Sequence, residues 1–294
     1  MRNLFFLLII LFAYTIANAQ DLPTRHLHSR RFGNDSVIIY YNQFYDLIEP
    51  DCAKIIRHGH FNSRYEHFYG KFEDVSKDDT TFVVARGSYS NDGLKNGEFI
   101  TYYLNKVPQA KGYFKNGNYY GPWVFYSING HILETANFLN GYYNDECMFY
   151  NENGSPNTHM KITGYKVEIL DAWDHDGKKI VDHGNGDYSF YDGGITWRGE
   201  VLNGLPNGIW YFRMSETVYG SEIFKKGKFV SGHNKSPVGD KDYDDKSRIH
   251  FIPTVPKLGI SRASEFHPFS HSACDTTTYK IENNISKYMI KIFD

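Results

Sequence analysis

The sequence predicts an all-β chain: a single-layer antiparallel array of β-hairpin repeats, with a β-rich N-terminal cap and an irregular C-terminal tail carrying one short helix. Three observations carry that expectation. Glycines recur at a fixed interval: Gly93, Gly117 and Gly141 lie 24 residues apart, and Gly97 and Gly121 keep the same spacing with Asp145 in the third slot. Aromatic pairs keep step, Tyr102/Tyr103 aligning with Phe125/Tyr126 and then Phe149/Tyr150. A fixed period of this length marks an array whose units bury their apolar faces only by stacking on neighbours. Hairpin-turn dipeptides are dense. Eight Asn-Gly pairs begin at Asn96, Asn116, Asn129, Asn140, Asn153, Asn185, Asn203 and Asn207, and three Asp-Gly pairs at Asp92, Asp176 and Asp192. Asn-Gly tolerates positive φ at both central positions, as a type I′ hairpin turn requires, so Trp123–Phe138 reads as one hairpin turning at Asn129-Gly130. Finally, Phe, Trp and Tyr make up 17% of the chain. A sheet with no second layer must be covered by its own rings, and cross-strand aromatic pairs contribute about 0.2–1 kcal/mol each.

The elements follow in order. Met1–Ala19 reads as a signal peptide: Arg2 supplies the positive start, Leu4–Ile16 the apolar core, and Ala17-Asn18-Ala19 the cleavage site before Gln20. That apolar run is too short for a membrane span, so no transmembrane segment is expected. No Cys follows the site, so a bacterial lipid anchor is not indicated. Residues 20–86 form a lead-in, with Val37–Tyr41 and Phe82–Ala85 as strands and an alternating aromatic pattern over His60–Phe72. An array needs such a cap at its first hairpin. Residues 87–235 hold the repeats. Residues 236–294 break the pattern. Asp240, Asp242, Asp244 and Asp245 with Lys241 and Lys246 read as a charged linker, followed by Pro253, Pro256 and Pro268. Ile281, Ile285, Tyr288, Met289 and Ile292 then mark one face of an amphipathic helix, with Thr276–Thr278 as caps.

At the repeats the chain resembles a known family. Gly121–Gly130 (GPWVFYSING) and Gly112–Gly117 (GYFKNG) carry the two halves of a pattern similar to the MORN-repeat variant of bacterial envelope proteins. Later copies are Gly186–Gly194, Gly199–Gly204, Gly208–Phe212 and Gly220–Gly227. The stretch Ala172–Asp187 is similar to one in Bacteroidetes MORN-containing proteins, some of which end in a TonB-like domain. The resemblance covers roughly residues 87–232. Asp145 stands where the pattern has Gly, and Phe99 where Trp is usual, so those two units are expected to be distorted.

Signatures of catalysis are missing: there is no G-x-S-x-G, no H-E-x-x-H, no paired C-x-x-C and no phosphate loop. The expectation is a non-enzyme without cofactor or metal. Thirteen His are scattered. His58 and His60 would share a strand face and could ligate a metal, but they lack a third ligand and read as polar decoration, as do His26/His28 and His267/His271. Asp171, Asp174, Asp176 and Gly177 hint at a calcium loop, yet the spacing is not that of an EF-hand, and a plain Asp-Gly turn accounts for it better. Three Cys (Cys52, Cys147, Cys274) permit at most one bridge, and nothing in the sequence says which two would form it. Net charge of −2 gives no electrostatic footprint for nucleic acid or anionic lipid.

The aromatic stripe is the one feature large enough to bind a partner. Trp123, Phe125, Tyr126, Trp210, Tyr211 and Phe212 are the candidate binding residues, either as the ladder that holds the sheet together or as a platform for a protein strand or a sugar. The functional expectation is an exported scaffold (periplasmic, outer-membrane-associated or secreted) that presents its sheet to a protein or envelope partner. The alternatives are an accessory of TonB-type transport or signalling, an antitoxin-like repeat protein, and a glycan- or peptidoglycan-acting enzyme. The last would need a carboxylate pair, for which Glu98, Glu134 and Asp145 are the residues to test.

Overall fold

The computed structural model describes residues 29–244, apart from 33–35, 47–49, 63–64, 66, 193, 215–216 and 236–238. The stretches expected to be a signal peptide, a Pro-containing tail and an amphipathic helix, together with His26/His28 and His267/His271, fall outside the described residues. The strands are β1 (Ser29–Phe32), β2 (Ser36–Tyr41), β3 (Ile55–Asn62), β4 (His67–Ser76), β5 (Val83–Tyr89), β6 (Gly97–Tyr102) and β7 (Pro108–Lys115). Then come β8 (Asn118–Tyr126), β9 (Ile132–Leu139), β10 (Tyr142–Tyr150), β11 (Pro156–Thr163), β12 (Lys166–Trp173) and β13 (Lys179–Asp182). The last are β14 (Asn185–Asp192), β15 (Ile195–Leu202), β16 (Leu205–Met214), β17 (Thr217–Lys225), β18 (Lys228–Asn234) and β19 (Lys241–Tyr243). Each strand pairs antiparallel with its sequence neighbours, giving one open meander. The expected all-β hairpin array is what forms. No helix among the described residues is long and apolar enough to cross a membrane.

Two turn types alternate along the meander. One rim carries two-residue turns, with both residues at positive φ in Asn116-Gly117, Asn140-Gly141, His183-Gly184, Asn203-Gly204 and Lys226-Gly227 and only the glycine in Gly164-Tyr165. The other rim carries wider turns in which only one residue is left-handed. Ser127 N–H donates to His131 O and Gly130 N–H to Ser127 O, and the same pair of bonds closes Ser90–Leu94, Tyr103–Val107, Asn151–Ser155 and Asp174–Lys178. Asn129-Gly130 therefore builds the wide turn and not the type I′ turn its dipeptide predicts. Asn207-Gly208 makes no turn at all and lies inside β16.

Within the strands, a glycine two residues before a ring recurs as a bulge. Gly70, Gly121 and Gly208 take φ of 68°, 65° and 68°, and Phe72, Trp123 and Trp210 follow them. The extra bulge residue re-aims the following side chain. Each ring then lies over a glycine of the preceding strand. A Cβ on Gly112 would stand 2.0 Å from Trp123 Cδ2, and one on Gly199 2.4 Å from Trp210 Cγ. Each indole N–H donates to the next carbonyl, Trp123 Nε1 to Tyr113 O at 2.9 Å and Trp210 Nε1 to Glu200 O at 3.1 Å. This is aromatic covering of strand glycines, repeated as a structural unit. A related arrangement stands inside the predicted lead-in, where Gly70 precedes Phe72 by two residues and a Cβ on Gly59 would stand 3.3 Å from Phe72 Cβ.

The two units expected to be distorted keep this plan. Asp145 takes φ of 71°, matching Gly121, because a short polar side chain tolerates the left-handed region. Phe99 is fully buried over Gly87, 2.8 Å from where a Cβ would stand. What changes in the Asp145 unit is the pair above it: Ala136 replaces the glycine and Cys147 replaces the Trp, directly opposite in the β9–β10 register.

All these rings share one face, here the ring face. It runs from Phe72 through Phe99, Phe114, Trp123 and Phe138 to Tyr143, with Phe99–Phe114 centroids at 4.8 Å and Phe138–Tyr143 at 4.7 Å. Aliphatic residues take over at Met160, Ile162, Val167, Ile169 and Val181, and rings resume at Tyr188. The change coincides with a break in the array. Strand β13 is only four residues long, so the His183-Gly184 turn stops opposite Leu170. Beyond it, Ile169 N–H donates to Gly204 O at 2.8 Å, joining β12 to the β15–β16 turn across the gap. In a flat sheet those strands would lie roughly 14 Å apart, so the sheet buckles around the shortened hairpin.

Polar groups are buried on the ring face as well. Arg57 and Asp74 form a fully buried ion pair at 2.7 Å, and the guanidinium lies 4.3 Å from the Phe72 centroid and 4.8 Å from that of Phe68. Glu222 is fully buried and accepts from Tyr243 Oη at 2.6 Å. Cys52 is disulfide-bonded, whereas Cys147 is a buried free thiol whose pKa burial pushes up to about 12.

Candidate functional site

Strand alternation decides what can be touched from outside. Along β16, Trp210 is completely buried and Phe212 nearly so, while Tyr211 between them is 44% exposed on the opposite face. In β8, Trp123 and Phe125 are buried and Tyr126 is half-buried at the strand end. Four of the six residues expected to form a platform are thus the ladder of the ring face, and only Tyr211 stands fully outside it. A ring stacked on a strand glycine cannot also stack on a sugar.

The face left open carries its own side chains. Tyr113 and Tyr120 are exposed and directly opposite each other on β7 and β8. At the far end Ile209 faces Ile223, and Tyr211 faces Arg198, which is paired to Asp187 at 2.5 Å. Of these, sequence reading named Tyr211 and missed Tyr113, Tyr120, Ile209 and Ile223, because it took the repeat-equivalent aromatic positions without separating the two faces of each strand; alternation from the buried Trp would have found them.

Between the two apolar patches runs a band of charge that crosses four strands. His159 Nε2 lies 3.2 Å from Glu146 Oε2, and its Nδ1 lies 3.6 Å from Asp171 Oδ2. Asp171 Oδ1 accepts from Lys179 Nζ at 2.8 Å and from the His183 amide at 3.1 Å. Lys179 reaches on to Asp182 at 2.5 Å. Burial pushes the Asp171 carboxyl up, but the Lys179 ammonium, the His183 amide and His159 outweigh it and hold the pKa below its ordinary value. Asp171 and Asp182 in turn raise the Lys179 ammonium. Register brings this band together: His159 is the direct partner of Asp171 across β11–β12. No sequence spacing encodes that.

Asp171, Asp182 and His183 are the one group of three potential metal ligands among the described residues. Their chemistry does not suit a cation, because the Lys179 ammonium already sits between the two carboxylates and pairs with both. The calcium reading of Asp171, Asp174 and Asp176 separates likewise: Asp174 Oδ1 caps its own turn by accepting from the Asp176 and Lys178 amides. His58 and His60 are both exposed on β3, with His60 against Ser36 Oγ at 3.5 Å and the Tyr69 ring at 5.5 Å. Of the carboxylates considered for glycan hydrolysis, Glu134 is buried on the ring face, whereas Glu98 and Asp145 are exposed and paired to Lys111 at 3.3 Å and Lys161 at 3.6 Å.

Comparison with known proteins finds no matching family model and no matching curated protein.

Proposed function

We propose that this chain is an exported, non-catalytic scaffold of the cell envelope that binds a protein partner across the open face of its sheet. The observation that carries the reading is the placement of Tyr113, Tyr120, Ile209, Tyr211 and Ile223. These side chains are exposed on strands whose other face is already filled, so packing of the ring face does not account for them. Tyr supplies wide contact area at small entropic cost, and the charged band between the patches supplies specificity. Export rests on the Met1–Ala19 sequence, and the MORN-like reading on the recurring glycine–ring units at Gly121/Trp123 and Gly208/Trp210.

The test is an envelope pull-down with the mature chain (Gln20–Asp294) beside Tyr113→Ala/Tyr211→Ala and Ile209→Ser/Ile223→Ser variants, matched for folding by circular dichroism. A partner captured by the wild type and lost by folded variants supports binding through the open face. Equal capture by all three proteins sinks it.

A further inference from the structure

Strand β19 is short, terminal among the described residues, and held by two different devices. The first is an anchor on the ring face. Tyr243 lies over Gly232, where a Cβ would stand 2.1 Å from its Cζ, stacks on Phe229 at 5.8 Å, and donates to the buried Glu222. The second is a clamp on the open face. His233 of β18 stands directly opposite Asp242 of β19, with Nδ1 2.7 Å from Asp242 Oδ1 and Nε2 3.3 Å from Asp240 Oδ2.

Both ring nitrogens point at carboxylates. A neutral imidazole has one N–H and can satisfy one of them; its other nitrogen would turn a lone pair toward a negative oxygen. Only the doubly protonated ring fits the geometry. Among the described residues, His233 faces Ser221 on β17, with Tyr219 beyond, and along its own strand the same face carries Ser231 and then Lys235. Among the described residues, the segment after β19 adds one more carboxylate, the exposed Asp244.

We propose that β19 is a pH-operated cover on the edge of β18: His233, clamped between Asp240 and Asp242, holds the strand down while its ring is protonated and releases it as the proton leaves. The hydrogen bond to Asp242 is the largest influence on the His233 pKa and raises it; burial opposes this, and the charge of Asp242 with the weaker bond to Asp240 keeps the net direction upward. The stabilisation is therefore complete below the ordinary histidine value and fades as pH climbs through the raised one. With β19 released, β18 presents Gly232–Asn234 as an open strand edge, a template for another chain to pair with.

Amide exchange on the full mature chain tests this, with rates corrected for the intrinsic pH dependence of exchange. Protection of the β18–β19 ladder is expected to fall about threefold or more between about pH 5.5 and 8.5, each unit of pKa elevation being worth a tenfold change. Protection of the β15–β16 ladder, which carries no histidine and does not include Glu134, should stay level and serves as the folding control. His233→Gln should hold the β18–β19 ladder at its high-pH protection throughout, and Tyr243→Ala sets the fully released level. Protection that does not change with pH in the wild type, or a pH dependence that survives His233→Gln, overturns the proposal.

Discussion

Replacing Gly112 with Ala tests whether the ring-over-glycine unit is what shapes this sheet. Gly112 is not left-handed, so any cost is steric: the new methyl would stand 2.0, 2.3 and 2.4 Å from three indole atoms of Trp123. Overpacking of that kind costs about 1–3 kcal/mol. Trp123→Cys, by contrast, empties a fully buried slot and leaves Tyr113 O without its indole donor, for a loss of about 3–5 kcal/mol. Additivity would make the double variant about 4–8 kcal/mol worse than wild type. The structure predicts otherwise. The neighbouring unit already contains Ala136 opposite Cys147, so with the indole gone the methyl has room. Gly112→Ala/Trp123→Cys should be no less stable than Trp123→Cys alone, a coupling of at least 1 kcal/mol or so in a double-mutant cycle. Urea unfolding followed by circular dichroism measures the global values, and amide exchange on β7 and β8 reads local opening. Additive effects would refute the reasoning, because they would mean the methyl and the indole do not compete for one space.

Two further outcomes follow from the buried charges. Asp74→Asn leaves the Arg57 guanidinium buried without a counter-charge and should cost about 3–5 kcal/mol, whereas Arg57→Met/Asp74→Leu should recover most of it; thermal unfolding of the two variants separates these results. Burial pushes the Glu134 carboxyl up to about 8, with the Tyr143 hydroxyl opposing only in part. Its native state thus holds a proton the unfolded chain releases near about pH 4.3, so stability should decline as pH rises from there through about 8. Glu134→Gln should flatten that decline, which is on the order of 5 kcal/mol, and a pH series of urea midpoints that keeps the same slope in the variant would contradict it.

The turns show how far local chemistry reaches. Asn116, Asn140 and Asn203 form the two-residue turns their dipeptides predict, while Asn129 and Asn153 sit in wide turns and Asn207 lies inside β16. Asn-Gly lowers the cost of positive φ wherever it stands, so the dipeptide alone cannot say whether a turn, a bulge or a strand will use it. Lys226-Gly227 and His183-Gly184 make the same tight turn without Asn, the glycine supplying one of the two left-handed positions.

By itself the sequence determined that the chain is an antiparallel hairpin array, since period, turn residues and aromatic alternation act through neighbours a few positions away. It also marked the glycine–ring units as the repeating element. Only the tertiary structure decided which side of each strand is covered. One bulge at Gly208 sets Trp210 inward and Tyr211 outward, and a shift of one residue would exchange them. The same holds for the Glu146–His159–Asp171–Lys179 band and the His233 clamp, whose members meet through cross-strand register. Register is fixed by the whole ladder at once, and no single residue carries it.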